Sequence, residues 1–155
     1  CELTYNMRAA VVVCLWSNIE SFFKEIILVY CKVLPQIPNK ENPFGMTELI
    51  GFCRKNLRTK LDSVPNYPVI NAIRILNNAY KHNNSFYQHS ADKPWENIDA
   101  ALLHDWGIRK NEQVDFTNIP LKELTTAPKA FFHELLQTVQ EELTAKCPKA
   151  NAPCS

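Results

Sequence analysis

Five polar side chains in residues 71–84 (NAIRILNNAYKHNN) have the types and spacing that could support chemistry on a phosphate group. They are Arg74, Asn77, Asn78, Lys81 and His82. At about 100° per residue they fall within an arc of roughly 140° on a helix, opposite a set of apolar residues. One face of this helix would pack against a core while the other presents cations, amides and an imidazole. A solvated face on an amphipathic helix is the simpler interpretation of the same pattern.

Familiar catalytic and metal-binding motifs are absent from the chain. It has three glycines and no glycine-rich phosphate loop, no HExxH or GxSxG, and no CxxC pair, so we expect neither a metal nor a cofactor. The six cysteines are scattered, which favours free and mostly buried thiols in a reducing, cytoplasmic compartment, although Cys147 and Cys154 could form a bridge. With a net charge of +1, any polyanion must bind through a local patch.

The elements that must position these residues are predicted to be helices. Apolar periodicity predicts an all-α fold, a four- to five-helix bundle with a small irregular or short β insert before the last helix. We expect one domain over residues 1–146 and a tail over residues 147–155. The predicted helices cover residues 3–34, 47–61, 68–82, 94–104 and 127–146.

Local signals set the expected ends of these elements. Thr126 is the expected N-cap of the last helix. Residues 112–116 could form a short strand, or pair with residues 107–109 in a small hairpin. The longest apolar run, residues 9–16, is too short to cross a membrane, so we expect no membrane contact. The chain begins at Cys1 rather than at a methionine, which indicates a fragment or a processed form.

Two further sets of charged residues could support the face of residues 71–84. Glu20 lies at the border of the apolar face of the first helix, where a carboxylate usually needs a cationic or amide partner. It could equally face solvent beside Lys24. Arg54 and Arg58 make the second helix basic and would be a second source of positive charge for a phosphate, although such a run is also typical of a solvated face.

Residues 77–83 (NNAYKHN) resemble the motif of the HEPN domains (higher eukaryotes and prokaryotes nucleotide-binding). His82 falls on the histidine of that motif and Asn78 on its adjoining polar position. The first helix is also similar, with Ser-x-x-Glu-x-Phe formed by Ser17, Glu20 and Phe22. The resemblance covers residues 11–143 and implies an all-α domain of about this size.

The resemblance also implies a function. In the family, an Arg and a His from each of two subunits meet across a dimer interface and cleave RNA without a metal. It therefore implies a homodimer through the His82 face, with His82 as general acid and base and Asn78 orienting it. Arg74, Lys81 and Asn83 would hold RNA or a nucleotide. A cognate antitoxin or another defence partner is the protein partner that the resemblance suggests.

This sequence departs from the family pattern at one decisive position. Asn77 stands where the family has its Arg, and an amide brings no charge to stabilise a transition state. Arg74, one turn earlier, or Lys81 would have to replace it. Asn84 stands where modified toxins of the family carry a Tyr. The sequence thus favours a catalytically weak or inactive module, with an active endoribonuclease as the alternative, and a bundle unrelated to the HEPN family stays open.

Overall fold

A computed structural model describes residues 2–33, 51–52, 55–56, 60–82, 84–87 and 100–146 of the 155-residue chain. Helix α1 spans Glu2–Val33, α2 spans Tyr67–His82, α3 spans Ala100–Asp105 and α4 spans Leu121–Lys146. Two short 3-10 turns, Leu61–Ser63 and Phe116–Asn118, precede α2 and α4. The all-α prediction is confirmed.

Helix α1 follows the apolar stripe from which it was predicted. No proline or glycine interrupts the stripe, and its members recur every three or four residues, so one side of the helix is continuously apolar. That side is buried, and it includes Val12, Trp16, Ile19, Phe23, Ile27 and Tyr30. The predicted end near residue 34 agrees with the last helical residue, Val33.

Helix α2 lies at the centre of the bundle. It starts one residue before Pro68, which fits the first turn of a helix because the missing N–H has no partner there. Eleven of its sixteen residues are buried, including polar ones. Its side chains pack against both α1 and α4, so this helix has almost no solvent-facing side over its first three turns.

Helix α4 begins six residues earlier than predicted. Thr126 is not its N-cap, because the helix starts at Leu121 and contains the buried Pro128 in its interior. A proline there removes one backbone donor. The two preceding threonines are exposed and bond back to their own helix: Thr126 Oγ1 donates to the Lys122 carbonyl at 2.9 Å, and Thr125 Oγ1 to that of Leu121, also at 2.9 Å. Burial of Leu124 and Pro128 compensates for the lost bond.

The irregular insert before α4 is present, but the expected hairpin with residues 107–109 is wrong. Gly107 has φ 75° and donates its N–H to the His104 carbonyl at 2.9 Å, which ends α3. The extended residues pair with the segment that follows α2. Phe86 and Gln113 form an antiparallel bridge, flanked by a bond of 2.7 Å from Val114 N–H to the Ser85 carbonyl.

Aromatic contacts give the direction of the helices. Tyr5 of α1 and Tyr80 of α2 both pack on Phe116, with centroids 5.3 and 5.6 Å away, and Tyr67 packs on Phe131 of α4. Helix α2 therefore runs antiparallel to α1. Phe23 of α1 contacts Phe131 at 5.8 Å, and Tyr30, later in α1, contacts Lys146 at the end of α4, so α1 and α4 run in the same direction.

Parts of the predicted layout lie outside the described residues. These are most of the second helix, apart from helical residues 51–52 and 55–56, the start of the predicted fourth helix, and the tail. Of the described cysteine side chains, Cys14 is a free thiol. It is exposed, and the side chains of the other five cysteines, on which the expectation of mostly buried thiols depends, lie outside the described part of the chain. None of the described helices has the length and apolar character that crossing a membrane requires.

Candidate functional site on helix α2

The polar face of α2 divides into a buried part and an exposed part. Asn71, Arg74 and Asn77 are only 2%, 7% and 3% exposed. Lys81 and His82, one to two turns further along, are exposed. The sequence places these side chains on one face but does not show this gradient. Because α2 enters the bundle at Tyr67 and reaches its end at His82, only its last turn lies in solvent.

Arg74 is held inside the bundle by a neighbour on its own helix. Its Nε donates to Oδ1 of Asn71 over 2.7 Å, and both side chains are buried. A guanidinium next to a fixed amide acceptor forms a charge-assisted hydrogen bond, which is stronger than a bond between neutral groups. Arg74 is therefore part of the packed interior rather than a surface cation ready to hold a phosphate.

The two asparagines that fall on the family motif are also inward or half-inward. Asn77 Nδ2 lies 3.4 Å from Oδ1 of the half-buried Asn78, at the long limit of a hydrogen bond. No described residue donates to Asn77 Oδ1, although this atom is buried. A buried amide oxygen without a donor lowers stability rather than raising it. Asn77 thus occupies the position of the family's Arg without access to solvent and without a strong structural bond.

The exposed end of α2 is fixed by a tight backbone turn. Asn84 and Ser85 have positive φ angles of 49° and 66°, and Ser85 N–H closes the helix end on the Ala79 carbonyl at 2.8 Å. Tyr5 OH of α1 donates to Ser85 Oγ over 2.7 Å. This turn holds Lys81 and His82 at the surface next to the beginning of α1. Tyr5 and Ser85 were not predicted from sequence, because no local signal links residues 80 positions apart.

The remaining predicted residues contribute little within the described structure. Arg54, Arg58 and Asn83 lie outside the described residues. Glu20 is half-buried, and its carboxylate makes no ion pair within the described part of the chain, which fits the solvent-facing alternative. No group of three His, Cys, Asp or Glu side chains in the described residues is arranged to hold a metal ion.

A second polar cluster, which the sequence did not reveal, lies at the other end of the bundle. Lys146 Nζ donates to the Asn56 carbonyl at 3.0 Å, lies over the Tyr30 ring at 5.2 Å, and is 3.9 Å from the buried Glu142. Tyr30 OH donates to the same carbonyl at 2.9 Å. The cluster joins the last turns of α1 and α4 to Asn56, and its internal hydrogen bonds are typical of a structural rather than a catalytic cluster.

No protein-family model, curated protein or solved structure matches the chain. The HEPN resemblance therefore rests on the short motif in residues 77–83 and on the layout of the helices. Among the described residues of the polar face of α2, the geometry adds that the exposed groups are one ammonium, of Lys81, and one imidazole, of His82.

Proposed function

We propose that the chain is a cytoplasmic HEPN-like module that binds RNA or a nucleotide through the C-terminal end of α2 and has little or no catalytic activity. A defence or toxin–antitoxin system is the context that the resemblance suggests. The observation that carries the lack of catalysis is the burial of Arg74, whose exposed fraction is 7% and whose Nε is bonded to Asn71, while the exposed Lys81 and His82 support binding.

Catalysis by a HEPN-type site needs a cation that contacts the phosphate as charge develops in the transition state. A guanidinium does this through two parallel N–H donors, which a lysine cannot reproduce. Arg74 would have to leave the interior to reach a phosphate, and Asn77 has no charge. Lys81 is left as a point charge beside His82, which suits binding better than transition-state stabilisation.

The same surface is where the resemblance places a homodimer and a cognate partner. Two copies joined at their His82 ends would form one composite cleft, and an antitoxin bound there would cover Lys81 and His82. Both arrangements stay predictions, and both require the exposed end of α2 rather than its buried part.

A metal-independent endoribonuclease is the second candidate, because His82 is exposed and therefore accessible to a 2′-hydroxyl. An imidazole changes its protonation near neutral pH and can act as both acid and base. In this case Lys81 would provide the only exposed charge for the phosphate among the described residues of the α2 face.

RNA binding and cleavage by matched variants separate the two functions. Labelled mixed-sequence single-stranded RNA is titrated in EDTA and followed by fluorescence anisotropy, and the same samples are run on a denaturing gel. Lys81→Ala should weaken binding about 3- to 10-fold. It should also lower the slope of the logarithm of the binding constant against the logarithm of the salt concentration by about one, which corresponds to one phosphate contact. Lys32→Ala, an exposed lysine at the opposite end of α1, should leave binding unchanged.

Cleavage decides whether the module is an enzyme. We expect wild type and His82→Ala to leave the RNA equally intact. Cleavage by wild type that His82→Ala abolishes would establish the endoribonuclease instead. If RNA and mononucleotides bind neither wild type nor Lys81→Ala, the proposal of nucleic-acid binding is wrong.

A further inference from the structure

The solvent-facing side of α1 carries an apolar line in its first half. Leu3 is 69% exposed and Met7 62%, and Ala10 and Cys14 are also exposed. Two small polar residues, the exposed Ser17 and Ser21, follow at the same spacing on this side of the helix. These six residues, named here the α1 seam, follow each other at alternating steps of four and three, as in one side of a coiled coil.

The surroundings of the seam lack the charge that usually covers a solvated helix. Residues 3–19 contain a single charged side chain, Arg8. Its Nη1 donates to the Ile119 carbonyl at 2.8 Å, so it is bound to its own bundle. Val11 and Val13 are half-buried and flank the seam on its two sides. An exposed apolar surface rimmed by uncharged residues is characteristic of an interaction site.

The sizes of the seam residues are complementary to those of a second copy. Two α1 helices can lie antiparallel with a two-fold axis that crosses the seam at the level of Val12, which itself points into its own bundle. In that arrangement Leu3 faces Ser21 of the second copy and Met7 faces Ser17. At the centre, Ala10 faces Cys14, so the two backbones can approach closely. Large side chains opposite small ones interdigitate without voids. Because each pair recurs on both sides of the axis, the surface is self-complementary, as a two-fold interface requires.

The flanking positions agree with this register. Glu20 directly precedes Ser21 at the edge of the seam, and in the antiparallel pair it lies beside Asn6 of the second copy. An amide can donate to the carboxylate, so Glu20 meets no like charge there. A parallel pair would instead place each Leu3, Met7 and Cys14 opposite its own counterpart, with the large residues together at one end and the small serines leaving a gap at the other.

We propose that two copies of this chain associate through antiparallel α1 helices at the α1 seam. This inference stands on α1 and does not depend on the function proposed for α2. Tyr5 adjoins the end of α2, and the two Tyr5 residues would be separated by roughly 21 Å along the helix axis. The His82 ends of this dimer therefore do not meet, in contrast to the dimer that the HEPN resemblance implies.

A charge placed in the seam tests the interface. Sedimentation equilibrium of the full chain over a concentration series should show a dimer for wild type. Met7→Glu should raise its dissociation constant at least about 30-fold, because two carboxylates would be buried per dimer. The matched control is Leu136→Glu on α4, where an apolar residue of 50% exposure is replaced outside the seam. It should dimerise like wild type, and circular dichroism should show both variants folded.

A disulfide tests the register. Under mild oxidation, Ala10→Cys should give a covalent dimer whose cross-linked peptide joins position 10 to Cys14 of the second copy, because these positions face each other. The double variant Ala10→Cys with Cys14→Ser should lose that peptide. Peptide mass spectrometry distinguishes this bond from those of the other cysteines.

Three results would overturn the proposal. Wild type could remain monomeric throughout the concentration series. Met7→Glu and Leu136→Glu could dimerise equally well, which would place the interface elsewhere, for example at His82. Wild type could cross-link Cys14 to Cys14 in high yield while Ala10→Cys adds no bond between positions 10 and 14, which would establish a parallel pair.

Discussion

The two parts of the polar face of α2 carry the same kinds of side chain and have different roles. Arg74 with Asn71 and Asn77 lies within the bundle, where an amide fixes the guanidinium. Lys81 with His82 lies in solvent at the end of the same helix. Rotation about the helix axis makes them one face, but depth along the axis separates them. A polar face on a central helix is therefore not one surface.

The difference in burial between Arg74 and His82 shows that residue types alone do not establish a motif in a new chain. The HEPN motif supplies an Arg and a His that act together, and matching residue types identifies Arg74 as a substitute for the missing Arg. Burial removes that substitute, since moving a guanidinium out of the interior would break its bond to Asn71 and leave a void. The histidine keeps its accessible position, so the two halves of the motif are separated by depth.

Replacement of the two cations on this face should separate the buried part from the exposed part most clearly. Arg74→Ala removes a buried side chain and leaves Asn71 Oδ1 without this donor, so we expect a loss of about 2–4 kcal/mol in the free energy of unfolding. Lys81→Ala is the matched control and should change it by less than about 0.5 kcal/mol. Urea denaturation measures both. Equal, small losses would mean that Arg74 is not a structural residue.

Placing an arginine, the residue of the HEPN motif, at position 77 should fail to create activity for the same reason. Asn77→Arg places a long charged side chain where the exposed fraction is 3%, and we expect about 1–3 kcal/mol of destabilisation from overpacking. RNA cleavage in EDTA should not appear. Asn77→Gln, which lengthens the side chain without adding charge, is the control for size. A stable Asn77→Arg variant that cleaves RNA would show that position 77 does open to the site.

Much of the fold could be predicted from sequence, because long apolar stripes and proline boundaries are local signals. The bounds of α1 and α2 agree with the prediction to within one residue at the ends the structure describes. The start of α4 does not, since Thr126 has the residue type of an N-cap, whereas its hydroxyl donates back to the Lys122 carbonyl inside the helix. There the packing of Leu124 and the first turn of α4 against the core outweighs the local sequence signal.

The candidate site was less predictable than the fold. Residue types and rotation identified five polar residues of α2 but not the role of Asn71 as the partner of Arg74, and solvent access depends on how far neighbouring helices extend along α2. The turn at Ser85 depends on a hydrogen bond from Tyr5 and on pairing with residues 111–114, contacts between distant parts of the chain. Neither contact can be read from sequence periodicity, which reports only on neighbouring turns of one helix.

The link between α1 and the exposed end of α2 should have a moderate effect. Tyr5→Phe removes the hydroxyl that donates to Ser85 Oγ while keeping the ring that packs on Phe116. We expect a loss of about 1 kcal/mol and faster hydrogen exchange in the last turn of α2. Thr144→Ala removes an exposed hydroxyl that donates to the Gln140 carbonyl within α4. It should lower the free energy of unfolding by only about a few tenths of a kcal/mol. If exchange speeds up uniformly along α2, the bond does not act locally.

The smallest expected effect lies in the 3-10 turn before α4, and it depends on pH. Hydrogen bonds from the Thr117 side chain, then from its backbone N–H, lower the pKa of Asp115 below its ordinary value of 3.8. The ionised carboxylate therefore stabilises the folded state fully above that ordinary value, and this contribution disappears as the pH falls through the lower folded-state pKa.

Asp115→Asn keeps the oxygen that accepts from Thr117 but removes the charge and the second oxygen, which accepts from Asn118 Nδ2. The carboxylate is exposed and screened by solvent, so the variant should lose less than about 0.5 kcal/mol at pH 7. The difference from wild type should vanish at the most acidic pH where both still fold, because the wild-type group is then protonated and resembles the amide. Denaturation curves at several pH values measure this difference. If the difference in unfolding free energy between wild type and Asp115→Asn stayed constant on acidification, the charge would not be its cause. The shape of the side chain would then hold the turn that places residues 111–114 against the end of α2.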